Sequence, residues 1–150
     1  MFSHTETIPR LVKVLLAEDN PGDAALVSEA FRTSKRHIWL IRLKNGDEVM
    51  DHLRGEGGYN PSHRPDLILL DLSLPRRNGF DILDELKADP SFRDIPVVIL
   101  TNSRSEEDVR QAYKAGASYF LMKPADFDEF RSAIQRVEEI WLANIPEEAD

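Results

Sequence analysis

Cysteine is absent from all 150 residues, which excludes disulfide frames, thiolate chemistry and cysteine-ligated zinc. Long apolar runs are absent too, and no stretch approaches the roughly 20 residues that span a bilayer. The opening MFSHTETIPR lacks the apolar segment of a secretory leader. A cytoplasmic location without membrane attachment is therefore expected. Positive charge is scarce: 19 Lys and Arg against 27 Asp and Glu give a formal charge of −8. A surface that tracks nucleic-acid phosphates needs clustered cations, so the expected partner is a protein or small molecule and not nucleic acid. Solenoid-length repeats and low-complexity tracts are also lacking. His4, His37, His52 and His63 show no metal-ligand spacing and read as surface residues.

What is present is alternation. A hydrophobic content of 41% beside 31% charged residues suits one soluble core. Val12 to Ala17 is an apolar strand broken only by Lys13, and it runs into Asn20-Pro21, a cap followed by a first-turn proline. Val27, Ala30 and Phe31 then step at helical spacing. His37 to Leu43 reads as a second, less buried strand, and Val49, Met50 and Leu53 as a short helix. Leu67 to Leu70 is apolar throughout, as in a central strand covered on both faces. Gly79 opens a helix that Asp89-Pro90 closes. Pro96 to Leu100 is the fourth strand, Ser105 with Asp108 resembles a capping box, and Gly116 ends the following helix in the left-handed region. Tyr119 to Met122 is the fifth strand. Phe127, Phe130, Ile134, Val137 and Trp141 make the stripe of a last helix. Gly55 to Asp66 reads as a long mobile surface loop, and the acidic tail IPEEAD as frayed.

Five strand-then-helix units imply an α/β fold: a flavodoxin-like (βα)5 doubly wound parallel sheet in the order 2-1-3-4-5. One domain is expected over 1–150, with a core from about residue 12 to residue 142 and polar tails. In such sheets ligands bind at the C-terminal ends of the strands. Four of those ends carry polar residues: Glu18-Asp19, Asp71, Thr101 and Lys123-Pro124.

Three carboxylates brought together repel one another unless a cation joins them, and Mg²⁺ favours such oxygen ligands. Asp19 and Asp71 are the expected direct ligands, Glu18 is expected to act through a bound water, and the Ser73 backbone carbonyl is a third protein ligand. Asp71, ending the central strand, is the expected nucleophile toward a phosphoryl group. Lys123 would supply the opposing cation and Thr101 a hydroxyl donor. The Lys123-Pro124 bond is a candidate cis peptide. Arg76-Arg77 reads as a solvated turn, with steering of an acidic or phosphorylated partner as the alternative.

The segments LVKVLLAEDNPGD, RPDLILLDLSLPRRNGFDIL, IPVVILTNS and SYFLMKP resemble, in order and spacing, the receiver domains of two-component response regulators, over roughly Val12 to Trp141. The EDNPGD start, the extended loop before Asp66 and the WL-containing end look like the stand-alone regulators paired with phytochrome-type histidine kinases, which have no output domain. The resemblance implies that Asp71 accepts a phosphoryl group from a kinase phosphohistidine with Mg²⁺, in a self-phosphorylating and slowly self-dephosphorylating protein that is not a metabolic enzyme. It implies that Thr101 and Phe120 form the switch with Lys123, and that Ser73, Asn102 and Ser103 tune phosphate lifetime. Asn102 stands where receivers usually have a smaller residue and is expected to crowd the pocket. Phe120 stands where a Tyr is frequent, so no phenol of its own can lock its inward position.

The switch is expected to reach a surface of helix four, strand five and helix five, where Tyr113, Tyr119, Phe130, Trp141 and Leu142 are candidate contacts of a homodimer. Two rival readings remain at this level. One is an interaction or dimerisation module that needs no phosphate. The other is a Mg²⁺-dependent aspartyl phosphohydrolase, which in the haloacid-dehalogenase type wants a second Asp where Ser73 stands.

Overall fold

The structure, a computed structural model, describes residues 10–55 and 64–146. Among them five strands alternate with five helices: β1 Leu11–Ala17, α1 Pro21–Arg32, β2 His37–Leu43, α2 Gly46–Arg54, β3 Leu67–Leu70, α3 Gly79–Ala88, β4 Val97–Thr101, α4 Glu106–Lys114, β5 Tyr119–Met122 and α5 Phe127–Trp141. All strand pairs are parallel, and the sheet order is β2-β1-β3-β4-β5. The expected architecture is therefore present. Most of the Gly55 to Asp66 loop, His4, His63 and the last four residues of the tail lie outside the described residues.

Alternation along the inner strands explains why they read as continuous apolar runs. Val14 and Leu16 of β1, Leu67 and Leu69 of β3, and Val98 and Leu100 of β4 pack with Val27, Phe31, Phe130 and Ile134 of α1 and α5. Leu15, Ile68, Leu70, Val97 and Ile99 face the other way, against Val49, Leu53, Ile82, Leu86 and Ala112 of α2, α3 and α4. Each face buries its own core, so a polar residue at either register position would lose burial. The strand ends are the first places where a charge fits.

Each helix starts on a side chain that accepts an N–H of its own first turn: Asn20 from Asp23, Asn45 from Glu48, Asn78 from Asp81, Ser105 from Asp108 and Asp126 from Glu129. This satisfies one otherwise orphaned donor per helix. The capping box expected at Ser105 is only half formed. The Asp108 carboxylate accepts from the Ser103 hydroxyl at 2.6 Å, and the Ser105 N–H donates to Ser103 Oγ at 3.3 Å. Gly116 has φ +104°, as its position after α4 implied.

Further corrections concern α5 and two turns. Phe130 and Leu142, expected as dimer contacts, are each 1% exposed and belong to the core against α1 and β1. Phe130, Ile134 and Val137 of the α5 stripe face inward while Phe127 and Trp141 at its ends are half-buried, and Arg36 turns the segment after it back toward α1 by donating to the carbonyls of Leu142, Ile145 and Pro146 at 3.2, 3.1 and 3.0 Å. Arg77 keeps 40% of its side chain exposed in the expected turn, and it also bonds Asp47 at 3.0 Å and pairs with Glu85, joining α2 to α3. Arg76 beside it has φ +69°. The Lys123-Pro124 peptide is trans.

Candidate functional site

Register assembles the site. Ala17 pairs with Leu70, so Glu18 and Asp71 leave neighbouring strands at one level. Leu70 pairs with Ile99 and Thr101 with Met122, which sets Thr101 and Lys123 progressively further along the same edge. The ladders continue into the site: the Asp71 N–H donates to Ala17 O at 3.0 Å, the Glu18 N–H to Leu43 O at 3.0 Å, and the Lys123 N–H to Thr101 O at 2.8 Å. Backbone pairing therefore holds these three residues before any side-chain contact forms.

Glu18, Asp71, Thr101 and Lys123 are buried, and Asp19 is exposed. Carboxylate oxygens of Glu18, Asp19 and Asp71 all lie within 4.8 Å of one another. Among their neighbours is the Lys123 ammonium, whose Nζ donates to Glu18 Oε1 at 2.5 Å, Asp23 Oδ2 at 2.8 Å and Asp71 Oδ2 at 2.9 Å. Burial works against the lysine's charge, yet the hydrogen bonds to Asp23, Glu18 and Asp71 outweigh it and hold its pKa above the ordinary value. For Glu18, burial dominates. It pushes the carboxyl up to about 7, aided by the charge of Asp71 and opposed by Lys123. A crevice that resists carrying its full negative charge fits a divalent cation, and its all-oxygen donor set fits Mg²⁺.

A model of the response regulator receiver domain matches residues 14–135. The chain belongs to this family. Response regulator Rcp1 of Synechocystis sp. is 39% identical to this receiver over 132 residues, covering 88% of this chain and 90% of Rcp1. The structure of the phosphorylated cyanobacterial phytochrome response regulator RcpA matches with a TM-score of 0.85 at 36% identity, over 91% of this chain and 98% of that one. The Mn²⁺-bound form of Rcp1 matches with a TM-score of 0.81 at 38% identity, over 92% and 99%. The likeness to phytochrome response regulators noted in the sequence is thus present along the receiver.

The remaining expected residues fall in different places. The Ser73 N–H donates to Asp71 Oδ1 at 3.0 Å, so the residue two after Asp71 restrains its carboxylate. Ser103 donates its N–H to Thr101 Oγ1 at 3.3 Å, linking Thr101 to the start of α4. Asn102 is exposed. Phe120 is buried, with 7% of its surface accessible. Tyr113 and Tyr119 are exposed at 45% and 41%, and Tyr119 stacks on Trp141 with ring centroids 5.6 Å apart. Ile140, not foreseen, is the most exposed apolar side chain nearby, at 60%.

Three polar residues at the receiver's site were also not foreseen. Asp23 in the first turn of α1 binds Lys123. Arg42 at the end of β2 donates to the carbonyls of Glu18 and Asp19, both at 3.1 Å. Arg104 donates to the carbonyl of Lys123 at 3.1 Å. Asp23 left one signal, an acid in the first turn of a capped helix at the strand-end edge. The two arginines act on backbone carbonyls, and residue type alone gives no sign of that.

Proposed function

We propose that this receiver works as a single-domain response regulator in the cytoplasm, accepting a phosphoryl group on Asp71 from the phosphohistidine of a sensor histidine kinase of the phytochrome type. In the transfer, an Asp71 carboxylate oxygen attacks phosphorus. The P–O bond forms as the P–N bond breaks, and the electron pair leaves with the imidazole nitrogen, which takes a proton from solvent. Asp19, Asp71 and the Ser73 carbonyl would hold Mg²⁺, with Glu18 contacting it through water; the cation neutralises phosphoryl charge when bound. The Mn²⁺ reported for Rcp1 and the oxygen cluster here support that assignment. Lys123 then neutralises a phosphoryl oxygen and Thr101 donates a hydrogen bond to one.

The observation that carries the reading is the Lys123 ammonium, 2.9 Å from the Asp71 carboxylate inside an acidic cluster. A Thr101 drawn toward the phosphoryl group would free space for Phe120, and the change would pass to α4 and β5. Ser73, Asn102 and Ser103 would set the rate of slow self-dephosphorylation. Against a phosphohydrolase stands Ser73, where the second acid would be needed.

Incubation with acetyl phosphate and Mg²⁺, read by intact mass beside Asp71→Asn, tests the reading. The gain of one phosphate in the wild type and none in the variant is expected. Equal labelling of both, or of neither, removes it.

A second reading, that the chain dimerises, is favoured by the exposed apolar side chains of Tyr113, Tyr119 and Ile140, with the half-buried Trp141 beside Tyr119. Sedimentation with and without acetyl phosphate distinguishes a phosphate-dependent homodimer from a constitutive one. A monomer under both conditions removes the dimer.

A further inference from the structure

A lysine ammonium has three N–H donors, and each of those of Lys123 meets a different carboxylate, on Glu18, Asp23 and Asp71. Two of these acceptors have a second task, because Glu18 and Asp71 belong to the oxygen cluster suited to a cation. Asp23 does not belong to it. Its side chain is one-quarter exposed, and its own N–H donates to the cap Asn20 at 3.0 Å, which fixes the carboxylate in the first turn of α1. When a cation draws on Glu18 and Asp71, Asp23 is the acceptor that keeps its hold on the lysine.

This has opposite effects on the two ligands of the site. Three carboxylates on one ammonium, with Asp19 close to two of them, leave the crevice negative, which favours a cation. Drawing Lys123 toward Asp23 also keeps its positive charge from lying wholly against the cation's ligands. A phosphoryl group meets the reverse situation, since it must share Lys123 with Asp23 and face the extra negative charge.

We propose that Asp23 is a positioning residue acting through Lys123: it strengthens binding of the divalent cation and restrains binding of the phosphoryl group, by holding one of the three lysine donors. The proposal rests on the reading of Asp71 as phosphoryl acceptor.

The test measures two constants on the full chain: Mg²⁺ binding by calorimetry, and binding of beryllofluoride, a phosphoryl mimic, at saturating Mg²⁺. Asp23→Asn keeps a neutral acceptor for Lys123 and removes the charge. It should weaken Mg²⁺ and tighten beryllofluoride, each by roughly threefold to tenfold for the loss of one nearby charge. Asp23→Glu, which restores the charge, should stay within about twofold of the wild type for both, on the same reasoning. A merely loosened site would weaken both ligands together, and that outcome overturns the proposal, as do two unchanged constants. If the wild type takes a phosphate from acetyl phosphate while Asp23→Asn leaves both constants unchanged, only the role of Asp23 falls. If the wild type takes neither acetyl-phosphate label nor beryllofluoride, the acceptor reading falls and this proposal with it.

Discussion

The hydroxyl of Tyr113 accepts the backbone N–H of Phe120 at 3.1 Å, so a phenol from α4 closes part of the free edge of β5. Phe120 has no hydroxyl of its own. Its strand is instead tied to the neighbouring helix through the main chain, beside the packing of Phe120 in the same core cluster as Ala112 of α4.

Tyr113→Phe removes that acceptor and leaves the Phe120 N–H without it. A stability loss of about 1 kcal/mol is expected, together with faster hydrogen exchange at the Phe120 amide. Amide exchange followed by NMR checks this, and protection equal to the wild type would show that the bond contributes nothing.

Lys123→Met leaves Glu18, Asp23 and Asp71 facing one another without their cation. Breaking a buried ion pair from one side costs about 3–5 kcal/mol, so the melting temperature in EDTA should fall well below that of the wild type. Added Mg²⁺ should recover much of the difference. Equal melting temperatures in EDTA would mean that the carboxylates do not need the lysine.

Gly79→Ala tests the approach of α3 to the end of β3 at Asp71. An added Cβ would collide with the carbonyl oxygen of Asp71 and stand 2.7 Å from the Cα of Leu72, both backbone atoms with little room to give. The expected loss is about 1–3 kcal/mol, with slower labelling by acetyl phosphate as Asp71 is displaced. Urea unfolding and a labelling time course measure the two effects. An unchanged unfolding midpoint would contradict the close approach.

The Glu18 carboxyl, raised from 4.5 to about 7 mainly by burial, gives a pH dependence of defined sign. Between those values the folded chain holds a proton that the unfolded chain has released, so this group's contribution is complete below about pH 4.5 and declines as pH rises through about 7. In metal-free buffer Glu18→Gln should gain stability relative to the wild type on going from about pH 5 to about pH 8. Urea unfolding at both values reads the difference. A difference independent of pH would place Glu18 at its ordinary value.

The sheet was legible in the sequence because β3 and β4 are buried on both faces and show unbroken apolar runs, and because Asn20 and Ser105 announce their helices. Asp71 and Lys123 were legible for a related reason: a charge directly after such a run has only the strand end to occupy. Asp23 was not, because its bond to Lys123 joins α1 to β5 and no local pattern encodes that distance. Phe130 and Leu142 were misassigned because a wide apolar stripe does not show how far the fold covers it. Arg36 folds the chain back and buries Leu142, while Ile140 stays outside.

The Lys123 to Glu18 bond spans 105 residues of chain, and this orders events during synthesis. A chain lengthening from its N-terminus makes β1 and β3 well before β5, and contacts of such separation close late. Until β5 docks, the acids of the first half lack their own ammonium. During that interval a soluble cation is the available counter-charge, so Mg²⁺ in the surrounding solution should speed the maturation of the domain before any signal reaches it.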